Sequence, residues 1–139
     1  MKRSAELRGL SDDHHRALVL AKRAKRAIAQ KVNNGVKELW AEIRREWDAG
    51  LAHHFAVEEA HLLPPVRAAG GDVLASRIEG DHTVIQHLVL KGPFDEARLR
   101  QLAERLSDHV RFEERKLFPY AEAKLEQADL ERIAKAHRG

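Results

Sequence analysis

The chain has 139 residues, enough for one ordinary domain that buries its own core. Its 25 Lys and Arg nearly cancel its 22 Asp and Glu, leaving a net charge of +3. There is no cysteine, which excludes disulfide frameworks, thiolate zinc sites, cysteine-ligated iron–sulfur clusters and cysteine nucleophiles. Nine histidines are the unusual feature, and function is to be sought among them.

At the N-terminus, MKRSAELRGLSDDHH carries Lys2 and Arg3 with no apolar run behind them, unlike a secretory signal. Nowhere does a stretch approach the roughly 18 apolar residues of a membrane span. A soluble, cytoplasmic protein with no membrane partner is therefore expected. Strand-like alternation is scarce, and apolar residues recur at three- and four-residue steps, the helix period. Ser11, Asp12 and Asp13 offer an N-cap and acidic first turn for a helix to about Val32, stopped by Asn33-Asn34-Gly35. Much of the basic excess lies on it, at Lys22, Arg23, Lys25, Arg26 and Lys31, with Arg44 and Arg45 further on. That spacing describes a solvated face. With no aromatic platform or reading element beside it, no nucleic-acid partner is expected.

A second helix runs from about Val36 to Leu63, where Pro64-Pro65 should end it. A third follows Gly70-Gly71, from about Asp72 to Leu90, before Gly92-Pro93. Asp95 should cap a fourth, reaching Leu117 or Phe118 before Pro119. Tyr120 to His137 reads as a short helical tail covering one end. Gly50 and Gly80 weaken their helices by about 1 kcal/mol each relative to alanine. The fold class is all-α: four amphipathic helices with short connections, packed antiparallel as one domain over residues 1–139.

Each helix has an inward stripe. Helix 1 gives Leu7, Leu10, His14, Ala17, Ala21, Ala24 and Ile28; helix 2 gives Trp40, Ile43, Trp47, Leu51, His54, Glu58 and His61. Helix 3 gives Leu74, Ile78, His82, Ile85 and Val89; helix 4 gives Leu99, Leu102, Leu106, His109, Glu113 and Leu117. All four stripes are apolar at their ends and carry His, or His with Glu, in the middle. An unpartnered buried carboxylate costs several kcal/mol. A cation between the helices removes that cost.

Two of these segments match at an offset of 55 residues: His54-Phe55-Ala56-Val57-Glu58-Glu59 leads to Leu62-Leu63-Pro64, and His109-Val110-Arg111-Phe112-Glu113-Glu114 to Leu117-Phe118-Pro119. The shared pattern is H-x-x-x-E-E-x-x-L-[LF]-P. His and Glu at i and i+4 stand about 6 Å apart along one helical face, so both can reach one metal, or the Glu can bridge to a second. Glu59 and Glu114 point about 100° away and should be solvated. The other helices carry a shorter echo, Asp13-His14 and Asp81-His82. Imidazole and carboxylate without sulfur suit iron, manganese or zinc.

From Asp13-His14-His15 through both repeated segments, nearly the whole chain resembles the hemerythrin-like, or HHE cation-binding, family. The resemblance implies an up-down-up-down four-helix bundle and a non-haem centre of two iron ions (Fe2+/Fe3+) with a bridging oxo or hydroxo group. It implies His14, His54, Glu58, His82, His109 and Glu113 as metal ligands, Glu58 and Glu113 being the bridges. Two positions depart from the oxygen carriers. They have H-x-x-x-H on helix 3, where the second place here is Gln86 and His87 is one residue round. Their helix 4 carboxylate is Asp at i+5, whereas Glu113 is at i+4. The sphere is then more open, and Glu79, Gln86 and His61 are the candidates to complete it. On helix 1 the stripe favours His14 over adjacent His15.

The expected function is that of a metal-binding protein that binds or senses oxygen, nitric oxide or iron. Its partner is a small diatomic ligand, and its output goes through a homodimer or a separate signalling partner. Two other classes stay open: a di-iron enzyme reducing peroxide or nitric oxide, and an iron storage or homeostasis protein. With no nucleophile–base pair in view, binding is favoured over catalysis. Outside the six ligands, Trp40 and Trp47 are expected to pack in the core, His53 to face a neighbouring helix or solvent, and His137 to be exposed. Tyr120 is a candidate to hydrogen-bond behind the site.

Overall fold

The computed structural model describes residues 3–31 and 34–139, and every regular element among them is a helix. Helix α1 is Arg8–Gln30. Helix α2, residues 35–68, begins as Gly35–Glu46 and continues through Trp47–Leu51, Ala52–Val57, Glu58–Leu62 and Leu63–Ala68. Helix α3 is Asp72–Lys91. Helix α4, residues 96–124, joins Glu96–Phe112, Glu113–Leu117 and Phe118–Lys124, and α5 is Gln127–Arg138. No helix among the described residues is long and apolar enough to cross a membrane.

Asp95 caps α4 as expected, its carboxylate accepting the Arg98 N–H at 2.9 Å. At α1 the expectation fails. The helix begins at Arg8, after a turn in which the Leu7 N–H bonds the Ser4 carbonyl, so Ser11, Asp12 and Asp13 lie beyond the first turn. Leu7 and Leu10 are fully buried, and their burial fixes the start without any side-chain cap. Of the expected stop, Val32 and Asn33 lie outside the described residues, while Asn34, in the left-handed region, precedes α2 and Gly35 begins it. The basic residues Lys22, Arg23, Lys25, Arg26, Lys31, Arg44 and Arg45 are exposed, and Arg23 pairs with Glu42.

Pro64-Pro65 and Pro119 do not end their helices. Each follows a turn in which the hydrogen bond spans five residues: Leu63 N–H reaches the Glu58 carbonyl, and Phe118 N–H reaches that of Glu113. The α-helical register restarts behind this π-turn, and the prolines fall in its first turn, where no N–H donor is needed. A third such turn, Trp47–Leu51, closes with Ala52 N–H on the Trp47 carbonyl.

A π-turn inserts one residue and rotates the helix beyond it by about 100°. Leu62 therefore takes the fully buried place expected for His61, which is only half-buried, and Leu51 is also half-buried. On α3, Ala75 and Ile78 face inward and leave Leu74 half-buried. If the π-turn sets this register, Leu62→Ala should cost about 2–5 kcal/mol. His61→Ala should stay within about 0.5 kcal/mol. Urea unfolding of the two variants checks the pair, and equal costs would refute the rotation.

The buried side chains form two apolar layers. One takes Ala17 to Ile28 of α1, Leu39 to Phe55 of α2, Ile85 to Val89 of α3 and Leu99 to Val110 of α4. The other takes Leu7 and Leu10 of α1, Val57 to Val66 of α2, Ala75 and Ile78 of α3, Leu117 to Ala121 of α4, and Leu130 and Ile133 of α5. Trp40 and Trp47 sit in the first layer, Trp40 donating from Nε1 to the Asp95 carbonyl at 3.0 Å. In sequence, α1 and α3 change layer at their buried histidine, and α2 and α4 change just beyond it, after Phe55 and Val110.

Candidate metal centre

Between the two layers the structure brings together His14 of α1, His54 and Glu58 of α2, His82 of α3, and His109 and Glu113 of α4, all buried. The four rings turn Nε2 toward the two glutamates. His14 Nε2 lies 2.7 Å from Glu113 Oε1 and His82 Nε2 3.0 Å from Glu58 Oε1. Within their own helices, His54 Nε2 is 3.2 Å from Glu58 Oε2 and His109 Nε2 is 3.1 Å from Glu113 Oε2. Potential ligand atoms converge in two overlapping groups, each within 4.8 Å: His14, His54, Glu58 and Glu113, then Glu58, His82, His109 and Glu113. Glu58 and Glu113 belong to both. His15, beside His14, is exposed.

The other nitrogen of every ring meets a carboxylate further out. His14 Nδ1 is 2.6 Å from Glu114 Oε2 and His82 Nδ1 is 2.7 Å from Glu59 Oε2. His54 Nδ1 is 2.9 Å from Asp13 Oδ2 and His109 Nδ1 is 3.1 Å from Asp81 Oδ2. An ionised carboxylate only accepts, so each ring donates from Nδ1. In the neutral tautomer this leaves the Nε2 lone pair facing the centre, the arrangement that orients metal-bound imidazoles.

Glu59 and Glu114 are thus engaged rather than solvated, though their side chains stay 48% and 30% exposed. They reach the histidine of the neighbouring helix, which a helical wheel of one helix does not show. Ser11, expected as a cap, donates its hydroxyl to Glu114 at 2.7 Å. Asp13 and Asp81, the first letters of the short echo, serve the histidines of the H-x-x-x-E-E segments.

Without a cation the cluster holds protons. Burial pushes the His82 ring down, but the Glu113 and Glu58 carboxylates facing its Nε2 carry it up to about 10. Burial likewise opposes His109, and the Glu113 charge with the hydrogen bond to Asp81 lifts it to about 9. His54 is raised well above its ordinary value and His14 is raised, in each case against burial and by neighbouring carboxylates. Burial favours the neutral form of Glu113, yet the His109 charge and the surrounding donors hold it well below the usual carboxylate range. For Asp13, hydrogen bonds from His54 and His137 outweigh partial burial and hold it at about 2.

Protons leave the cluster unsatisfied. His54 Nε2 with Glu58 Oε2, and His109 Nε2 with Glu113 Oε2, stand 3.2 and 3.1 Å apart but are not aligned to hydrogen-bond, so all four atoms are buried without a partner. Orphans of this kind are costly and uncommon. All four belong to the converging groups, and their nitrogen and oxygen lone pairs are what a cation would use. The donor set fits iron, manganese or zinc.

None of the residues expected to complete the sphere enters it. Gln86 and His87 are exposed, His61 is half-buried, and Glu79 is exposed and pairs with Arg67. Tyr120 donates instead to the Ala69 carbonyl at 2.7 Å. His53 is exposed and donates from Nε2 to the His137 carbonyl at 3.1 Å. His137 is only 23% exposed and meets Asp13, because α5 folds back over α1 and α2.

Two aromatic neighbours lie off the expected stripes. Phe55 stacks on His82 with ring centroids 3.8 Å apart, and Phe118 stacks on His14 at 5.1 Å. The bulky residues shared after each repeated segment hint at Phe118. Phe55, adjacent to His54 in sequence, carries no such signal.

A family model described as the hemerythrin HHE cation binding domain matches residues 6–121. No curated protein and no solved structure matches the chain.

Proposed function

The chain belongs to the hemerythrin HHE cation-binding family, and on that premise we propose that residues 1–139 form one dinuclear non-haem iron domain that binds or senses oxygen, nitric oxide or iron. The observation that carries this reading is the overlap of the two ligand groups on Glu58 and Glu113. One ion would be held by His14 and His54, the other by His82 and His109, and both by the two glutamates. Four donors for each ion are fewer than an octahedral ion takes, which leaves room for a small ligand. When bound, the pair supplies redox and Lewis-acid chemistry. Around it, the outer carboxylates hold the four rings in place, while Phe55, Phe118 and the apolar layers keep bulk water away.

The alternation of α1 to α4 between the two layers supports an antiparallel, up-down-up-down four-helix bundle. Helix α5, beyond the matched residues, buries Leu130 and Ile133 in the second layer and so counts as part of the same domain. An enclosed, apolar-walled centre suits a small uncharged ligand such as oxygen or nitric oxide better than a bulky substrate. The signal would pass to a second copy of the chain or a separate partner.

Elemental analysis of natively expressed protein, taken with its visible spectrum, tests the proposal. About two irons per chain are expected, with a spectrum that changes reversibly on adding oxygen or nitric oxide. Colourless zinc protein, a single equivalent of metal, or steady turnover of peroxide would overturn it.

A further inference from the structure

The carboxylates behind the four imidazoles are not equivalent. Asp81 accepts from His109 Nδ1 at 3.1 Å, and its next cationic neighbour, Arg77 Nε, is no closer than 3.9 Å. Asp13 accepts twice on one oxygen, from His54 Nδ1 at 2.9 Å and His137 Nε2 at 2.7 Å, and Arg16 pairs with its other oxygen at 2.5 Å. His137 lies on α5, outside the residues that the family model matches.

The structure makes specific provision for that second donor. A Cβ at Gly9 would stand 2.6 Å from His137 Nδ1 and 2.8 Å from its Cε1, so the ring occupies space that only glycine leaves there. The His137 carbonyl accepts from His53 Nε2 at 3.1 Å. Leu130 and Ile133 seat the helix that carries it in the apolar layer. Helix α5 is thus tied to α1 and α2 at the point where Asp13 supports His54.

We propose that His137 is a positioning residue: by fixing Asp13 it holds His54, and it makes the metal position of His14 and His54 slower to exchange than that of His82 and His109. This rests on the dinuclear reading above. Arg16 is 62% exposed, so its pairing is solvent-screened and leaves the oxygen that His54 uses free to move. Two donors converging on one oxygen remove that freedom. A fixed Asp13 keeps the His54 proton on Nδ1 and its Nε2 lone pair directed at the centre, which slows metal loss. The other half of the centre lacks such a brace.

The test uses the full chain loaded anaerobically with iron(II) and challenged with a chromogenic chelator. Wild type should release its iron in two phases. His137→Ala should speed the slow phase by about 10-fold, the low end for residues behind metal ligands, and leave the fast phase unchanged. His137→Gln, whose amide can still donate to Asp13, should restore the slow phase. Asp81→Ala should speed only the other phase. A single phase in wild type, an unaltered slow phase in His137→Ala, or no rescue by glutamine would overturn the inference. Equal acceleration of both phases would do so too, since it would mean that α5 merely stabilises the fold. Failure of wild type to take up two irons would sink the dinuclear reading and this inference together. Two irons with an unaltered His137→Ala would sink only the inference.

Discussion

Glu113→Ala should remove both metals at once. The Glu113 side chain is fully buried and lies 2.7 Å from His14, 3.1 Å from His109, 3.8 Å from His54 and 3.9 Å from His82, so it faces all four imidazoles. It belongs to both ligand groups, and its loss opens both. His14→Ala, by contrast, touches one group only and should lose one metal. The metal-free protein should suffer as well. Without Glu113 the raised histidines are left as buried cations with one central carboxylate, and breaking a buried pair in this way costs about 3–5 kcal/mol. Glu113→Gln keeps the shape and should separate the two effects: metal is lost and the packing is kept. Elemental analysis per chain and urea unfolding of the metal-free variants measure both. If Glu113→Ala kept both metals, Glu113 would be no bridge.

The second large effect is a reversal of pH dependence when metal is removed. His82 and His109 have folded-state values of about 10 and about 9 against an ordinary 6.5. A histidine raised by folding stabilises fully below its unfolded value and loses that contribution as pH rises through its folded value. Metal-free protein should therefore weaken from near pH 6.5 upward, with the loss complete above about pH 10. Asp13 works in the opposite sense: its contribution is present above 3.8 and is lost as pH falls through about 2. Stability of the metal-free form should peak on the acid side of neutrality. Metal needs the neutral imidazoles, so loading releases protons and its affinity climbs with pH. The added stability should reach about 4 kcal/mol when free metal is a thousandfold above Kd. Thermal unfolding across this range, with and without metal, shows the crossing. A metal-free protein that is flat up to pH 10 would contradict the proton-filled cluster.

Much of the centre is legible in the sequence because the helix period turns spacing into direction. His14, His82, His109 and Glu113 fall on apolar stripes, and in the structure they are buried at the same level of the molecule. The same reasoning separates His14 from exposed His15. It fails where the period itself changes. Read locally, the prolines are stops, because a single chain position does not reveal that Glu58–Leu62 and Glu113–Leu117 widen to receive them. Those turns fall at the same place in both copies of the repeated segment, so the shared Leu-[Leu/Phe]-Pro ending is their trace in the sequence.

Relations between helices are harder to see. Within their own helices Glu59 and Glu114 point to solvent and Asp13 to a cap, whereas their partners lie on neighbouring ones. The place of His137 depends on where α5 returns, which the local pattern of Tyr120 to His137 does not contain.

The most direct test is diffraction from metal-loaded crystals at the absorption edge of the bound metal. Two anomalous peaks are expected between Glu58 and Glu113, one beside His14 and His54 and the other beside His82 and His109. A single peak, or none in this layer, would contradict a dinuclear centre shared by those two glutamates.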